Sequence, residues 1–223
     1  MTSPKGIFVA GTDTGVGKTR IATVLLRALA AQGTRAIGMK PVSAGIGADE
    51  SGNADVAALA AASNVDAPLA DRSPYAFAPA VAPHLAAAQA GATIDLAVIA
   101  AAYTRLAARA DAVVVEGAGG VLVPLDDRHD MLDIPATLGL RVLLVVGMRL
   151  GCLNHALLAA LAVRTRGVCL AGWVANLVDP AMALPAENIA TLTARLPAPL
   201  VATVAFRQPA QFADAWLAQW RPA

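Results

Sequence analysis

Cysteine and long apolar runs are both scarce in this 223-residue chain, and each scarcity closes off a class of protein. Hydrophobic residues make up 57% and charged residues 15%, a balance that at first suggests a membrane. Much of that fraction is alanine, and the longest apolar runs, Val142 to Met148 and Val113 to Val115, fall far short of the roughly 20 residues a spanning helix needs. Two cysteines, Cys152 and Cys169, are too few for a disulfide framework and fit no metal-ligand spacing. Both sit in apolar segments and are expected to be buried thiols in a reducing cytosol. A net charge of +1, from 17 basic and 16 acidic residues scattered along the chain, argues against a nucleic-acid-binding face, which needs clustered basic charge. Met1 to Lys5 leads straight into a β-like run, so no signal or transit peptide is expected. No linker or internal repeat is legible, and the length suits one domain over 1–223.

Only three of the basic residues are lysines: Lys5, Lys18 and Lys40. A chain that otherwise uses arginine for surface charge keeps lysine where a compact ammonium on a flexible stem is required. Glutamate also occurs three times, at Glu50, Glu116 and Glu187.

Short aliphatic runs alternate with alanine- and leucine-rich stretches of helical pattern. Strands are expected at 6–10, 36–41, 112–116, 142–146, 171–176 and 200–204. Helices are expected at 18–32, 54–62, 85–89, 96–108, 131–138, 153–166, 185–196 and 210–220. Continuously apolar strands belong to a sheet covered on both faces. Their alternation with helices predicts an α/β fold, a doubly wound and mostly parallel sheet flanked by helices. The less regular segment 41–83 is expected to form loops over the carboxyl ends of the strands, where such sheets bind ligands.

The strongest local signal is Gly11-Thr12-Asp13-Thr14-Gly15-Val16-Gly17-Lys18-Thr19, directly after the first strand and opening the first helix. A phosphate needs backbone amides pointing inward, and glycines let the chain curl tightly enough to supply them. The usual spacing is G-x-x-x-x-G-K-[ST]; here Thr12 takes the first glycine's place and the glycine falls one position earlier, at Gly11. The strand–loop–helix context marks a P-loop NTPase-type site for a nucleoside triphosphate. Lys18 would reach the β- and γ-phosphates, and the Thr19 hydroxyl would ligate Mg²⁺.

Phosphoryl transfer needs further groups for the metal and the developing charge. Glu116 follows three valines and precedes Gly117-Ala118-Gly119-Gly120, which places a carboxylate at the carboxyl end of a neighbouring strand. Lys40 closes the second strand, expected beside the phosphate-loop strand and opposite Glu116, where a preorganised positive charge stabilises an anionic transition state. Asp55 opens the helix expected from residue 54.

These pieces together resemble the dethiobiotin synthetases. The resemblance runs in order over most of the chain: the phosphate loop, Lys40-Pro41-Val42, Asp55, Pro83-His84, Val115 to Gly120, Leu150-Gly151-Cys152-Leu153-Asn154-His155 and Ala171 to Asn176. It implies a cytoplasmic, homodimeric ligase without nucleic-acid or membrane partners. In that family 7,8-diaminononanoate takes up CO₂ (bicarbonate) as a carbamate, ATP phosphorylates the carbamate, and the second amine closes the ureido ring, releasing ADP and phosphate.

The resemblance also implies residue roles. Lys18 and Lys40 are the catalytic cations, and Thr19, Asp55 and Glu116 hold Mg²⁺. The nucleotide is contacted by Thr14, Gly15, Val16, Gly17, Lys18, Thr19, Arg20, Asp55, Glu116, Gly117, Ala118 and Gly119, with Asn176 and Leu177 at the adenine and Ala205, Phe206 and Arg207 closing over the base. The substrate falls to Lys40, Ser43, Ala44, Gly151, Cys152 and Asn154, with the helix start near Asn154 serving the partner subunit's substrate carboxylate. His84 and His155 are substrate-side candidates. The chain departs from some relatives by Leu177 in place of an aspartate and by Asn188 near a tyrosine position. Two other readings share the loop: a regulatory or partitioning ATPase, which would place a signature lysine where Asp13 stands, and an amide-forming synthase of cofactor biosynthesis.

Overall fold

The computed structural model describes residues 6–45 and 52–220; Lys5 and Glu50 lie outside the described residues. The first half contains β1 (Gly6–Gly11), α1 (Lys18–Ala31), β2 (Ala36–Met39), β3 (Val42–Ala44), α2 (Ala54–Ala62), α3 (Leu69–Arg72), β4 (Tyr75–Phe77), α4 (Pro83–Gln89), α5 (Leu96–Ala107) and β5 (Ala112–Glu116). The second half contains α6 (Asp133–Leu138), β6 (Arg141–Met148), α7 (Cys152–Thr165), β7 (Leu170–Leu177), α8 (Pro185–Arg195), β8 (Leu200–Val204) and α9 (Asp214–Leu217). Six of the strands make one sheet in the order β2-β5-β1-β6-β7-β8, and each neighbouring pair is parallel.

Alternation of side chains along each strand builds two cores, one on each face. Ile7, Val9, Val114 and Leu143 face α1, whose Ile21, Leu25, Leu26 and Leu29 recur at helical spacing and are fully buried. Phe8, Ala10, Val113, Val115 and Leu144 face the other way, onto Ile99 and Leu106 of α5 and Ala156 and Val163 of α7. Each fully buried leucine or isoleucine contributes about 1.5–3 kcal/mol of apolar burial. Because the strands are parallel, their carboxyl ends lie along one rim, and that rim carries the phosphate loop, Lys40 and Glu116.

Four expectations need correction. Strand β2 ends at Met39, and β5 lies between β2 and β1, so Lys40 does not follow a strand beside β1. The register Met39↔Val115 nevertheless sets Lys40 against Glu116. Segment 41–83 holds more than loops and the helix expected at 54–62: β3 and β4 pair in a small parallel sheet, with α4 against it, and α3 lies against β2. Strands of three residues are too short to show a period. Cys169 is exposed, while Cys152 is buried. The last helix is short, Asp214–Leu217, followed by a 3₁₀ turn over Ala218–Trp220. No helix among the described residues is long and apolar enough to cross a membrane.

Candidate active site

The phosphate loop is held by glycine where no side chain fits. Gly17 has φ 90°, and a β-carbon there would stand 2.4 Å from Asn176 Nδ2. It caps α1 with no side-chain hydrogen bond, and the first turn carries no acidic residue. The leading amides of the helix are thus open to an anion. The loop's other flank is fixed by Asp13, which accepts from Thr14 N at 2.7 Å and pairs with Arg149 at 2.5 Å. The place where a partitioning ATPase would carry its signature lysine thus holds an ion-paired carboxylate.

Four elements deliver one cluster beneath this loop. Lys40 Nζ donates to Asp55 Oδ2 at 2.5 Å and to Glu116 Oε1 at 2.8 Å. Thr19, from the first turn of α1, donates its hydroxyl to the same Glu116 oxygen at 2.7 Å. Asp55 is delivered by the start of α2, where the Asn53 side chain accepts from the amides of Asp55 and Val56. Glu116 is 1% exposed at the end of β5. The chain turns away behind it at Gly117, where a β-carbon would meet the Phe8 ring at 2.8 Å. Lys18, also buried, donates to the carbonyl of Asp13 at 2.9 Å.

The electrostatics divide the two lysines. Burial drives the Lys18 ammonium down to about 8, opposed by Glu116. Burial also opposes the charge of Lys40, but Glu116 and Asp55 together outweigh it and hold that ammonium protonated. Burial would raise the Asp55 carboxyl, yet its bond to Lys40 keeps it below the usual range. In Glu116 burial wins and pushes the carboxyl up, against the pull of Lys40.

A cavity of about 640 Å³ opens over this cluster, lined by Thr14, Gly15, Gly17, Lys18, Thr19, Lys40, Ala44, Asp55, Glu116, Ala118 and Gly119. Ala80 to Pro83 and Val123 close its far wall; among these wall residues, the sequence singles out Pro83 alone. Ser43 stands apart from this cavity. Along β3 it points opposite to Ala44, is fully buried, and meets the Ser73 hydroxyl at 3.1 Å, so only Ala44 of the pair lines the cavity.

Other expected residues lie around this centre. Val16 is buried and Arg20 sits in the first turn of α1. Asn176 is buried beneath the loop, with Nδ2 donating to Val16 O at 2.7 Å and Oδ1 left without a partner. Leu177 ends β7, and Ala205, Phe206 and Arg207 follow the end of β8 beside it, since Asn176 is in register with Val204. Arg207 adopts φ 58° with its guanidinium 5.1 Å from the Phe206 ring. Gly151, Cys152 and Asn154 begin α7 outside the cavity lining, with Asn154 and His155 exposed. His84 Nδ1 is buried without a partner.

The donor set fits magnesium. Thr19, Asp55 and Glu116 offer hard oxygen ligands, and Glu116 Oε2 is buried with no hydrogen-bond partner. Among the described residues no group of three His, Cys, Asp or Glu side chains could cage a metal. Mg²⁺ characteristically takes one or two carboxylates and completes its shell with phosphates and water.

Comparison with known proteins points the same way. A family model described as an AAA domain matches residues 5–211. A protein of Nitrosospira multiformis named ATP-dependent dethiobiotin synthetase BioD is 56% identical over 192 residues, 86% of this chain and 84% of its own. One of the same name from Aromatoleum aromaticum is 52% identical over 87% of this chain and 88% of its own. Among solved structures, the signal recognition particle receptor FtsY of Elizabethkingia anophelis superposes with TM-score 0.54 at 16% identity, over 99% of this chain and 66% of that one. The septum site-determining protein MinD of Pyrococcus horikoshii gives 0.53 at 15% identity, over 89% and 80%. These two show the fold alone.

Proposed function

The chain belongs to the family of ATP-dependent dethiobiotin synthetases, and we propose that the cavity between the phosphate loop and Glu116 is where it closes the ureido ring. The observation that carries this reading is the meeting of Thr19, Lys40, Asp55 and Glu116, from four separate elements, beside Lys18.

An amine of 7,8-diaminononanoate attacks CO₂ and loses a proton, giving a carbamate. A carbamate oxygen then attacks the γ-phosphorus and ADP departs. The second amine attacks the carbonyl carbon, and phosphate leaves with that oxygen. Two anions must therefore approach each other in the first transfer, which in water is opposed by repulsion. The open amides of α1 and Lys18 receive the triphosphate. Lys40, preorganised at the rim by two carboxylates, supplies the charge on the carbamate side. Thr19, Asp55 and Glu116 would hold Mg²⁺, which when bound neutralises phosphate oxygens and makes the γ-phosphorus more electrophilic. The unpartnered Oδ1 of Asn176 is the acceptor available for an adenine amino group, with Ala205 to Arg207 flanking the base.

The functional unit in this reading is a homodimer in which Gly151, Cys152 and Asn154, outside the cavity of their own chain, serve the substrate carboxylate of the partner. The two free thiols suit the reducing cytoplasm in which we place the enzyme. The test is ADP release by the purified chain with Mg²⁺ and ATP. It is expected only when diaminononanoate and bicarbonate are both present; equal ADP release with either omitted would contradict the reading.

A further inference from the structure

Strand β2, which leads into Lys40, is the outer edge of the sheet and has no neighbouring strand on that side among the described residues. An edge strand leaves a row of backbone groups unpaired. Here side chains, together with the backbone of Asn64 and Arg72, take the place of the missing strand. Asn64 Oδ1 accepts from Ala36 N at 2.7 Å, and Ser63 Oγ accepts from Gly38 N at 2.9 Å. Arg72 Nη1 donates to Gly38 O at 3.3 Å, and the Arg72 carbonyl accepts from Lys40 N at 2.7 Å.

Arg72 is 4% exposed, and among the described residues its guanidinium donates at the remaining positions to neutral oxygens, Ser63 Oγ at 2.9 Å, Val65 O at 2.9 Å and Ala67 O at 3.3 Å, with the Asp66 carboxylate acting on it without a hydrogen bond. Burying a cation against neutral acceptors is expensive, and well-packed apolar side chains of the same volume often stabilise a fold as well or better. What the fork of Arg72 does that an apolar residue could not is hold three things at once. It grips the end of β2, the end of α2 through Ser63, and the turn between α2 and α3. Those first two elements carry Lys40 and Asp55, the partners of the 2.5 Å ion pair.

We propose that Arg72 is a positioning residue for the reaction: it clamps the end of the edge strand and so fixes the backbone from which Lys40 reaches Asp55 and Glu116. The inference rests on the role given to Lys40 in the proposed function. Arg72 touches no reacting group and does not line the cavity. Its influence passes through the Lys40 backbone, where displacement of about 1 Å can cost up to 10²-fold in rate.

The test uses the full chain with ¹³C-labelled lysine, in which only Lys5, Lys18 and Lys40 give side-chain signals and Lys40→Ala identifies that of Lys40. Arg72→Met and Arg72→Lys are expected to shift the Lys40 signal at fixed pH. They should lower kcat for diaminononanoate-dependent ADP release by about tenfold, leaving affinity for a non-hydrolysable ATP analogue within about twofold. In combination with Lys40→Ala, Arg72→Met should add nothing to the loss. Asp71→Asn, which breaks the neighbouring Arg105 pair of α3 at 2.7 Å without touching β2, is the control and should leave the Lys40 signal and kcat unchanged. Ser63→Ala carries the same comparison if Arg72→Met does not fold. An unmoved Lys40 signal, or a loss that multiplies with that of Lys40→Ala, overturns the clamp. A shifted signal in a chain whose wild type needs no diaminononanoate would overturn the assigned reaction and leave the clamp standing.

Discussion

Lys18 and Lys40 carry the same charge, share one cavity, and are driven in opposite directions by their surroundings. Burial dominates at Lys18 and lowers it to about 8, whereas Glu116 and Asp55 overcome burial at Lys40 and raise it. The sign of the pH effect on nucleotide binding follows. At pH 7 Lys18 is charged before ATP arrives. As pH rises through 8 the free chain loses that proton, and a bound triphosphate pulls it back. Binding of a Mg²⁺–ATP analogue near pH 8 should therefore take up about half a proton, with affinity falling at higher pH. Calorimetry in buffers of different ionisation enthalpy measures this; zero uptake from pH 7.5 to 9 would contradict the depressed Lys18. Lys18 is legible in sequence because its loop is local. Lys40 is legible only as a strand-end lysine set opposite Glu116; its bond to that carboxylate, 76 positions away, is made by the fold.

The start of α2 is the element on which delivery of Asp55 depends. Asn53 caps it through its Oδ1 and ties it to β3 by donating to Ala44 O at 3.0 Å. Asn53→Ala should cost about 1 kcal/mol of stability, seen as a fall of about 2–4 °C in Tm for a chain of this size. Unchanged thermal unfolding would show that the cap does not anchor the helix. The six sheet strands and the long helices are readable from sequence because burial on both faces leaves continuous apolar runs. The strand order is not, since β5 inserts between β2 and β1 without any local mark. Nor are β3 and β4, whose three-residue pairing turned Ser43 from the cavity and left Ala44 facing it. The side-chain cover over β2, from Asn64, Ser63 and Arg72, is not legible in sequence because it has no period at all.

For the whole molecule, the proposed dimer shares its sites between chains, and that sharing is measurable. Lys18→Gln disables the nucleotide side of its own cavity, and Asn154→Asp sets a negative charge where the partner's substrate carboxylate would bind. Each variant alone should be nearly inactive. Mixed and allowed to exchange, they form hybrids with one intact composite site, so about a quarter of wild-type activity should return. No recovery in a mixture shown to exchange subunits would contradict a shared site.

Transfer of phosphate from ATP to a carbamate in this cavity is tested by the fate of one oxygen. ¹⁸O-labelled bicarbonate is supplied with diaminononanoate, ATP and Mg²⁺ in ordinary water, and the released phosphate is analysed by mass early in the reaction. The route through the mixed anhydride makes a carbamate oxygen attack phosphorus and then leave with it. One labelled oxygen should therefore appear in each phosphate, at the enrichment remaining in the CO₂ pool. Phosphate carrying no label, with dethiobiotin still formed, would mean that water attacked the γ-phosphorus and that the carbamate never met it.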